Sequence, residues 1–288
     1  LPLPEGLDQA TQVRVLDAAA DLVDYRYAKD LITDQGGEGS KVKQQILKRR
    51  SQIRVPSPTI EVTPPYSKQP QMGHDSGRLG LGTAMTIDGQ PSALLNFRLT
   101  LHDLADRSDG YPELMQIEFL PTRLRFRLDK PRVELDEALL MRLASLSPLN
   151  SLDQSSSFRM EIGATTLRDS ACPDCLVGKL LFAGGGTLAW WDNAIAVYLL
   201  GGGELNGGPK LSGIAGGPVR VGLFPELGLR LRFHRRLIAF AAARLQWLPF
   251  QSPETLWQGE ATLRWSLLDN FAIGAEIRGS KGQQEAAL

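Results

Sequence analysis

Three short stretches carry residue types that do chemistry. Met72-Gly73-His74-Asp75-Ser76-Gly77-Arg78 sets a His, an Asp and a Ser side by side. A hydrolytic triad needs members that converge from separate segments, so three consecutive positions make a poor one. The stretch reads as a polar turn, or as one whose His74, Asp75 and Arg78 contact an upstream domain. Cys172-Pro173-Asp174-Cys175 holds the only two cysteines of the chain. One CxxC is half of a zinc ribbon, and no second pair completes four ligands. A thioredoxin-like motif would follow a strand and open a helix, whereas this one sits in a polar turn between strand candidates. A small loop disulfide in an oxidising envelope compartment is the preferred reading, ahead of a free thiol pair and of a metal or redox role. Gly184-Gly185-Gly186 and Gly201-Gly202-Gly203 evoke a phosphate cradle, but no Lys-Ser/Thr and helix follow. Glycine in strands marks close backbone approach or sharp curvature instead. No metal or cofactor is expected.

Arginine is the fourth chemical feature, and its spacing is the informative part. Leu227, Leu229, Leu231 and Phe233 alternate with Gly228, Arg230, Arg232 and His234. Trp257 through Leu267 alternates with Gln258, Glu260, Thr262, Arg264 and Ser266; Phe271, Ile273, Ala275 and Ile277 alternate with Ala272, Gly274, Glu276 and Arg278. Side chains on a strand alternate faces with period two, so each run has one apolar and one charged face. Earlier runs do the same. Ala93 to Leu101 interleaves with Asn96 and Arg98, Leu124 to Leu128 with Arg123, Arg125 and Arg127, and Phe158 to Ala164 with Arg159 and Glu161. Repeated over many strands, this is the pattern of a closed barrel with apolar groups outside and charges inside.

The charged face would gather Arg98, Arg123, Arg125, Arg127, Arg159, Arg230, Arg232, Arg244, Arg264 and Arg278 with Glu118, Glu161, Glu204, Glu260 and Glu276. Unpaired charges in a dry core are prohibitive, so they must pair, meet water or bind an anion. A lumen laced by Arg–Glu networks is the preferred reading. The alternative is a binding or transport interior for an anionic lipid or sugar, with Arg98, Arg125, Arg230, Arg232, Arg264, Glu260 and Glu276 as its candidate residues.

Composition narrows the class. Acidic and basic residues balance at 32 each, which disfavours a nucleic-acid binder. No window reaches the roughly 18 consecutive apolar residues of a membrane helix, a test that barrel strands never pass. The start, Leu1-Pro2-Leu3-Pro4, has no basic or apolar leader, so any secretory signal is expected upstream and the chain is read as part of a longer protein.

Residues 1–55 read as a helical extension, with one helix over Leu7–Leu31 capped by Asp8 and a second over about Lys41–Ile53 capped by Ser40. Its basic end, Lys48-Arg49-Arg50, suits a helix C-terminus. Residues 56–78 form a proline-rich connector. Residues 79–280 carry the strands, and 281–288 read as a tail. Within the barrel, Val133–Leu146 fits either a helix or a bulged strand and is taken as a strand. His102–Pro112 is an Asp-rich loop, and Val219–Phe224 reads as a short strand broken at Pro225. The five tryptophans fall near strand ends in the second half, as in an interfacial girdle or as core packing.

The order of these parts carries a family likeness. A helical piece, a proline-rich connector, Gly73-His74-Asp75-Ser76-Gly77-Arg78-Leu79-Gly80, and Ser157-Phe158-Arg159 entering a strand before a cysteine-containing turn resemble the C-terminal β-barrel region of Lnb-like bacterial envelope proteins. The resemblance runs from about Pro56 onward. It implies an upstream periplasmic papain-like domain, related to lipoprotein N-acyltransferase, that holds the catalytic residues, so none is carried onto this chain. It departs at the end, where Gln283-Gln284-Glu285-Ala286-Ala287-Leu288 lacks the terminal aromatic of many outer-membrane barrels. The expectation is an antiparallel up-and-down β-barrel of about 12 strands, of outer-membrane type. It would anchor or position the upstream enzyme domain, with membrane lipid and that domain as its partners.

Overall fold

The computed structural model describes residues 6–33, 36–59, 65–152, 154–169, 172–211, 213–250, 255–280 and 283–287. It divides into two units, 1–63 and 64–288. The first holds α1 (Gln9–Arg26), α2 (Ala28–Thr33) and α3 (Glu38–Arg50). Asp8 caps α1 by accepting from the Thr11 amide at 2.9 Å. Leu16 and Val23 of α1 pack on Ile46 of α3, and Arg50 Nε donates to Asp17 at 2.9 Å. The expected Leu7–Leu31 helix is interrupted at Tyr27 (φ −114°, ψ 22°), whose ring lies against Gly39, where a Cβ would collide with it. Gly37 rather than Ser40 opens α3, and Glu38 in the first turn complements the helix dipole. Ile60–Pro64 of the connector lies outside the described residues; two short 3₁₀ turns, Tyr66–Lys68 and Pro70–Met72, precede the first strand.

The second unit is mainly β. Its strands are β1 (Arg78–Thr86), β2 (Pro91–Arg98), β3 (Thr100–His102), β4 (Met115–Phe119), β5 (Thr122–Arg127), β6 (Arg132–Ser145) and β7 (Ser157–Asp169). They continue as β8 (Cys172–Trp190), β9 (Ile195–Gly207), β10 (Val219–His234), β11 (Leu237–Trp247), β12 (Thr255–Leu268), β13 (Phe271–Ser280) and β14 (Gln283–Ala287). β2 with β3 makes one stave, kinked where Leu101 takes φ +74°; β4 with β5 makes another, kinked where Leu120 takes φ +50° before Pro121. Each stave pairs antiparallel with its neighbours in the chain, and the ring closes where β14 meets β1 (Ala84 opposite Ala287). Among the described residues this is an antiparallel up-and-down barrel of twelve staves, as the alternation implied.

One end, the near rim, carries the segment before β1, the Asp103–Leu114 loop, the 146–156 loop and the tight turns at 191–194, 235–236 and 269–270. The far rim is the opposite end, where the turns at 87–90 and 128–131 lie.

Three boundaries differ from the sequence reading. The presumed tail at 281–288 contains β14: β13 and β1 both present open backbone edges, and pairing them outweighs the polar composition of the segment. Pro225 does not end its strand. β10 pairs with β9 without interruption through Pro225 opposite Gly201, while pairing to β11 lapses between Leu223 and Glu226, the side where proline lacks its donor. Cys172 and Cys175 open β8 itself instead of lying between strands; the two sulfurs are bonded to each other and sit among Leu167, Val177 and Leu211. The Val133–Leu146 stretch is a strand with two irregularities, at Asp136 and at Leu140. The extra residues turn a period of two into the helix-like leucine spacing of the sequence.

Burial is inverted relative to a water-soluble domain. Leu79, Leu81, Phe182, Leu199, Leu227, Leu263 and Ile277 are exposed, Leu81 to 83%. Arg98, Glu118, Arg125, Glu161, Glu204, Arg220, Glu226, Arg230 and Arg244 are buried.

Candidate functional site

The interior has two levels with different chemistry. Towards the far rim, a cavity of about 240 Å³ is walled by seven cationic side chains (Arg125, Arg142, Arg159, Arg168, Lys179, Arg244, Arg278) and seven carboxylates (Asp136, Glu137, Glu161, Asp169, Glu204, Glu226, Glu260). The wall neutralises itself, strand to strand. Arg159 on β7 reaches Glu226 on β10 at 2.8 Å, and Glu226 also takes Arg244 of β11 at 2.6 Å. Arg244 continues to Glu204 on β9 at 3.0 Å, and its guanidinium lies 4.1 Å above the Phe224 ring. Glu161 receives Arg159 at 2.7 Å, Lys179 at 2.6 Å and Arg142 at 3.2 Å. The irregularity at Asp136 lets consecutive acidic residues both face inward: Asp136 meets Arg125 at 2.7 Å and Glu137 meets Arg142 at 2.6 Å. Chains of charge-assisted bonds of this kind keep so many buried ions tolerable.

Towards the near rim the barrel is filled. The loop after β3 turns inward, and its Leu104, Ala105 and Leu114 join Leu146 in packing on Leu181, Ala196, Tyr198, Leu200, Phe224 and Phe240 of the inner wall. Its carboxylates face arginines from several strands. Asp103 receives Arg264 (β12) at 2.6 Å and Arg78 (β1) at 3.1 Å. Asp106 receives Arg98 (β2) at 2.8 Å, Arg264 at 2.8 Å and also Arg78. Glu113 takes Arg232 and, at 3.5 Å, Arg230 (β10), whose Nε donates to the Leu104 carbonyl at 2.8 Å. Burial pushes the Asp103 carboxyl up, but Arg264, Arg78 and Arg98 outweigh it and hold the group well below the usual aspartate range. Asp106 is held below that range too, against burial and the repulsion of Asp103, by the same three arginines.

The residues singled out from the sequence fall as follows. Arg98, Arg230, Arg232 and Arg264 gather on the inward loop at the near rim, while Arg125 and Glu260 line the far cavity. Glu276 pairs with Arg123 at 2.7 Å and with Arg278. Arg127 lies at the far rim, paired at 2.7 Å with Asp129 of the adjoining turn. Arg78 belongs to the loop cluster. Asp75 binds Asn270 of the β12–β13 turn in both directions, at 2.9 and 2.6 Å. The His74 carbonyl accepts from Tyr111 at 2.8 Å, and the Tyr111 ring lies between the His74 and His102 rings, tilted against each, with centroids 4.8 and 4.6 Å away. His74 Nε2 lies 3.9 Å from Asp106, and no serine or cysteine is bonded to it among the described residues. Sequence reasoning passed over Asp103, Asp106 and Glu113. Their one signal was an Asp-rich loop between strands whose polar face is arginine.

No curated protein matches the chain. Among solved structures it is similar to OmpT (in-vitro folded), an outer membrane protein of Vibrio cholerae in trimer form, at 10% sequence identity. That similarity covers 74% of this chain and 81% of the other, with a TM-score of 0.25. The barrel described above rests on its own strand pairing and takes nothing from that likeness. Residues 67–287, the whole of the barrel and the turns that lead into it, match one family model, and the chain belongs to that family, described as Domain of unknown function (DUF7840).

Proposed function

We propose that this chain is a non-catalytic β-barrel of the bacterial outer membrane that anchors and positions a periplasmic enzyme domain lying upstream in the same polypeptide. The inverted burial carries the membrane part of the reading. A belt of exposed Leu, Phe, Ile and Trp around a charged interior is unfavourable in water and favourable in a bilayer. All five tryptophans point outward, Trp247 and Trp257 towards the far rim and Trp190, Trp191 and Trp265 towards the near rim. Trp257 and Trp265 are eight residues apart on β12, about 27 Å of strand at ~3.4 Å per residue. Tilted by roughly 40°, that is about 20 Å of height, near the ~25 Å apolar band of an outer-membrane barrel. Trp and Tyr favour the two interfaces of such a band.

Two features support anchoring over conduction. The inward loop fills the near rim, and the walls of the far cavity carry no net charge to recruit an ion. The anchoring part leans on the likeness to Lnb-like envelope proteins and on the way Asp75, His74 and Arg78 fasten the last residues of the connector to the near rim. That rim would face the periplasm. The test is partition of the expressed chain between buffer and liposomes, with a heat-modifiability gel on the same sample. Membrane partition with a heat-dependent mobility shift supports the reading; a soluble monomer without detergent removes it.

A further inference from the structure

Around the far cavity the wall arginines find carboxylates on the wall itself, strand to strand. At the near rim most of their carboxylates come from a loop instead. Among the described residues, Arg78, Arg230 and Arg264 take all their side-chain hydrogen bonds and ion pairs from the Asp103–Leu114 loop. Arg98 divides itself between the loop, at Asp106 (2.8 Å) and Asp103 (3.6 Å), and Glu118, and Arg232 between Glu113 and the exposed Asp192. Remove the loop, and four strands present five guanidinium groups to one space with a single buried wall carboxylate, Glu118, among them.

We propose that these arginines form an anion site for a phosphate- or carboxylate-bearing ligand, and that the chain's own loop occupies it as an internal counter-ion. The guanidinium fork suits both groups, in two-pronged geometry. The site also holds unspent donors: Arg230 Nη2 and Arg98 Nε are buried without a hydrogen-bond partner, on side chains 0% and 4% exposed. The loop lies as a ligand does, with two carboxylates three residues apart in the arginine cluster, a third on Arg230 and Arg232, and Leu104 and Ala105 against the apolar wall.

The test is chemical rescue of a variant without the internal anions, Asp103→Asn/Asp106→Asn/Glu113→Gln, refolded in detergent and followed by thermal melting. The variant should melt about 5 °C or more below the parent. Sodium pyrophosphate should restore at least half of that loss relative to sodium chloride at equal ionic strength, and should leave the parent nearly unchanged. Restoration by phosphatidylglycerol micelles but not by pyrophosphate also supports the site and assigns its ligand to a lipid headgroup. Restoration by neither overturns the proposal. So does equal restoration of Asp136→Asn, which removes a carboxylate from the self-paired wall. If the triple variant does not fold, Asp103→Asn alone takes its place, and absence of rescue there is equally fatal. The outcome is independent of membrane insertion: a barrel soluble without detergent would remove the anchoring function and leave the rescue measurable.

Discussion

Arg220 on β10 donates from Nη1 to Asp169 Oδ2 on β7 at 2.9 Å, with neither side chain more than 3% exposed. β8 and β9 separate these strands, so the pair is a chord across the interior, and Asn206 of β9 supports it by accepting from Arg220 Nε at 3.2 Å. A buried pair is weak evidence of net stability, because desolvation of both ions offsets their attraction. Removing one partner is another matter, since it strands the other. Arg220→Met or Asp169→Asn should each cost about 3–5 kcal/mol. Asn keeps the acceptor for the Cys172 amide, so its effect isolates the charge. The Arg220→Met/Asp169→Asn double variant should cost clearly less than the sum of the singles in urea unfolding of the refolded barrel. Additive losses would mean that the two groups act separately.

Leu227 sits at the middle of β10, 56% exposed on the outer wall. On a water-facing surface Leu227→Arg would change stability by less than about 0.5 kcal/mol. At the midplane of a bilayer it should cost about 2–4 kcal/mol. The same substitution at Trp191, in the near-rim turn, should cost about 0–1 kcal/mol. Unfolding in liposomes reads both variants. Equal, negligible costs would place the apolar belt in water and end the membrane reading.

The loop carboxylates set an acid limit. Asp103 and Asp106 have folded pKa values depressed below the ordinary 3.8 by their arginines. A depressed folded pKa contributes stability that is fully present above the unfolded value and is lost as pH falls through the folded one. Melting temperature should therefore be insensitive to these two groups from pH 7 to 5 and fall only below about pH 4. The Asp103→Asn/Asp106→Asn variant should lose this component of the acid limb. An identical acid limb in parent and variant would sink the assignment. The two carboxyls share three arginines, so they titrate as a pair rather than as separate sites.

The barrel was legible because its signal is local. Phe158-Arg159-Met160-Glu161 states two faces in four residues, and the faces persist from stave to stave whatever the register. The loop chemistry was illegible for the opposite reason. Nothing near Asp103 in sequence says that Arg264, 161 residues away, will stand 2.6 Å from it; only closure of the ring brings β12 round to the loop. Bulges fall between these cases. An extra residue at Asp136 and another at Leu140 disturb the period of two, so Leu135, Leu139, Leu140 and Leu143 mimic a helix, and neighbouring strands had to arbitrate. Pro225 misled because proline forbids one hydrogen bond, whereas a strand has two sides and β10 needed only one of them there.

Gly228 of β10 lies beside Tyr198 of β9, its cross-strand partner, and the phenol ring covers the space a Cβ would fill. That gap lets the Tyr198 hydroxyl reach Glu226 at 3.0 Å while its ring stacks with Phe240 at 6.4 Å. The position is thus glycine for packing, not for backbone freedom. Gly228→Val should displace the ring, break the bond to Glu226 and cost about 1–3 kcal/mol by overpacking. Tyr198→Ala in the Gly228→Val background should cost less than in the parent, because the ring is already expelled. Thermal melting of the four proteins closes the cycle. A Gly228→Val variant as stable as the parent would mean that the ring has another place to go, and the Tyr198–Glu226 bond would then not depend on glycine at this position.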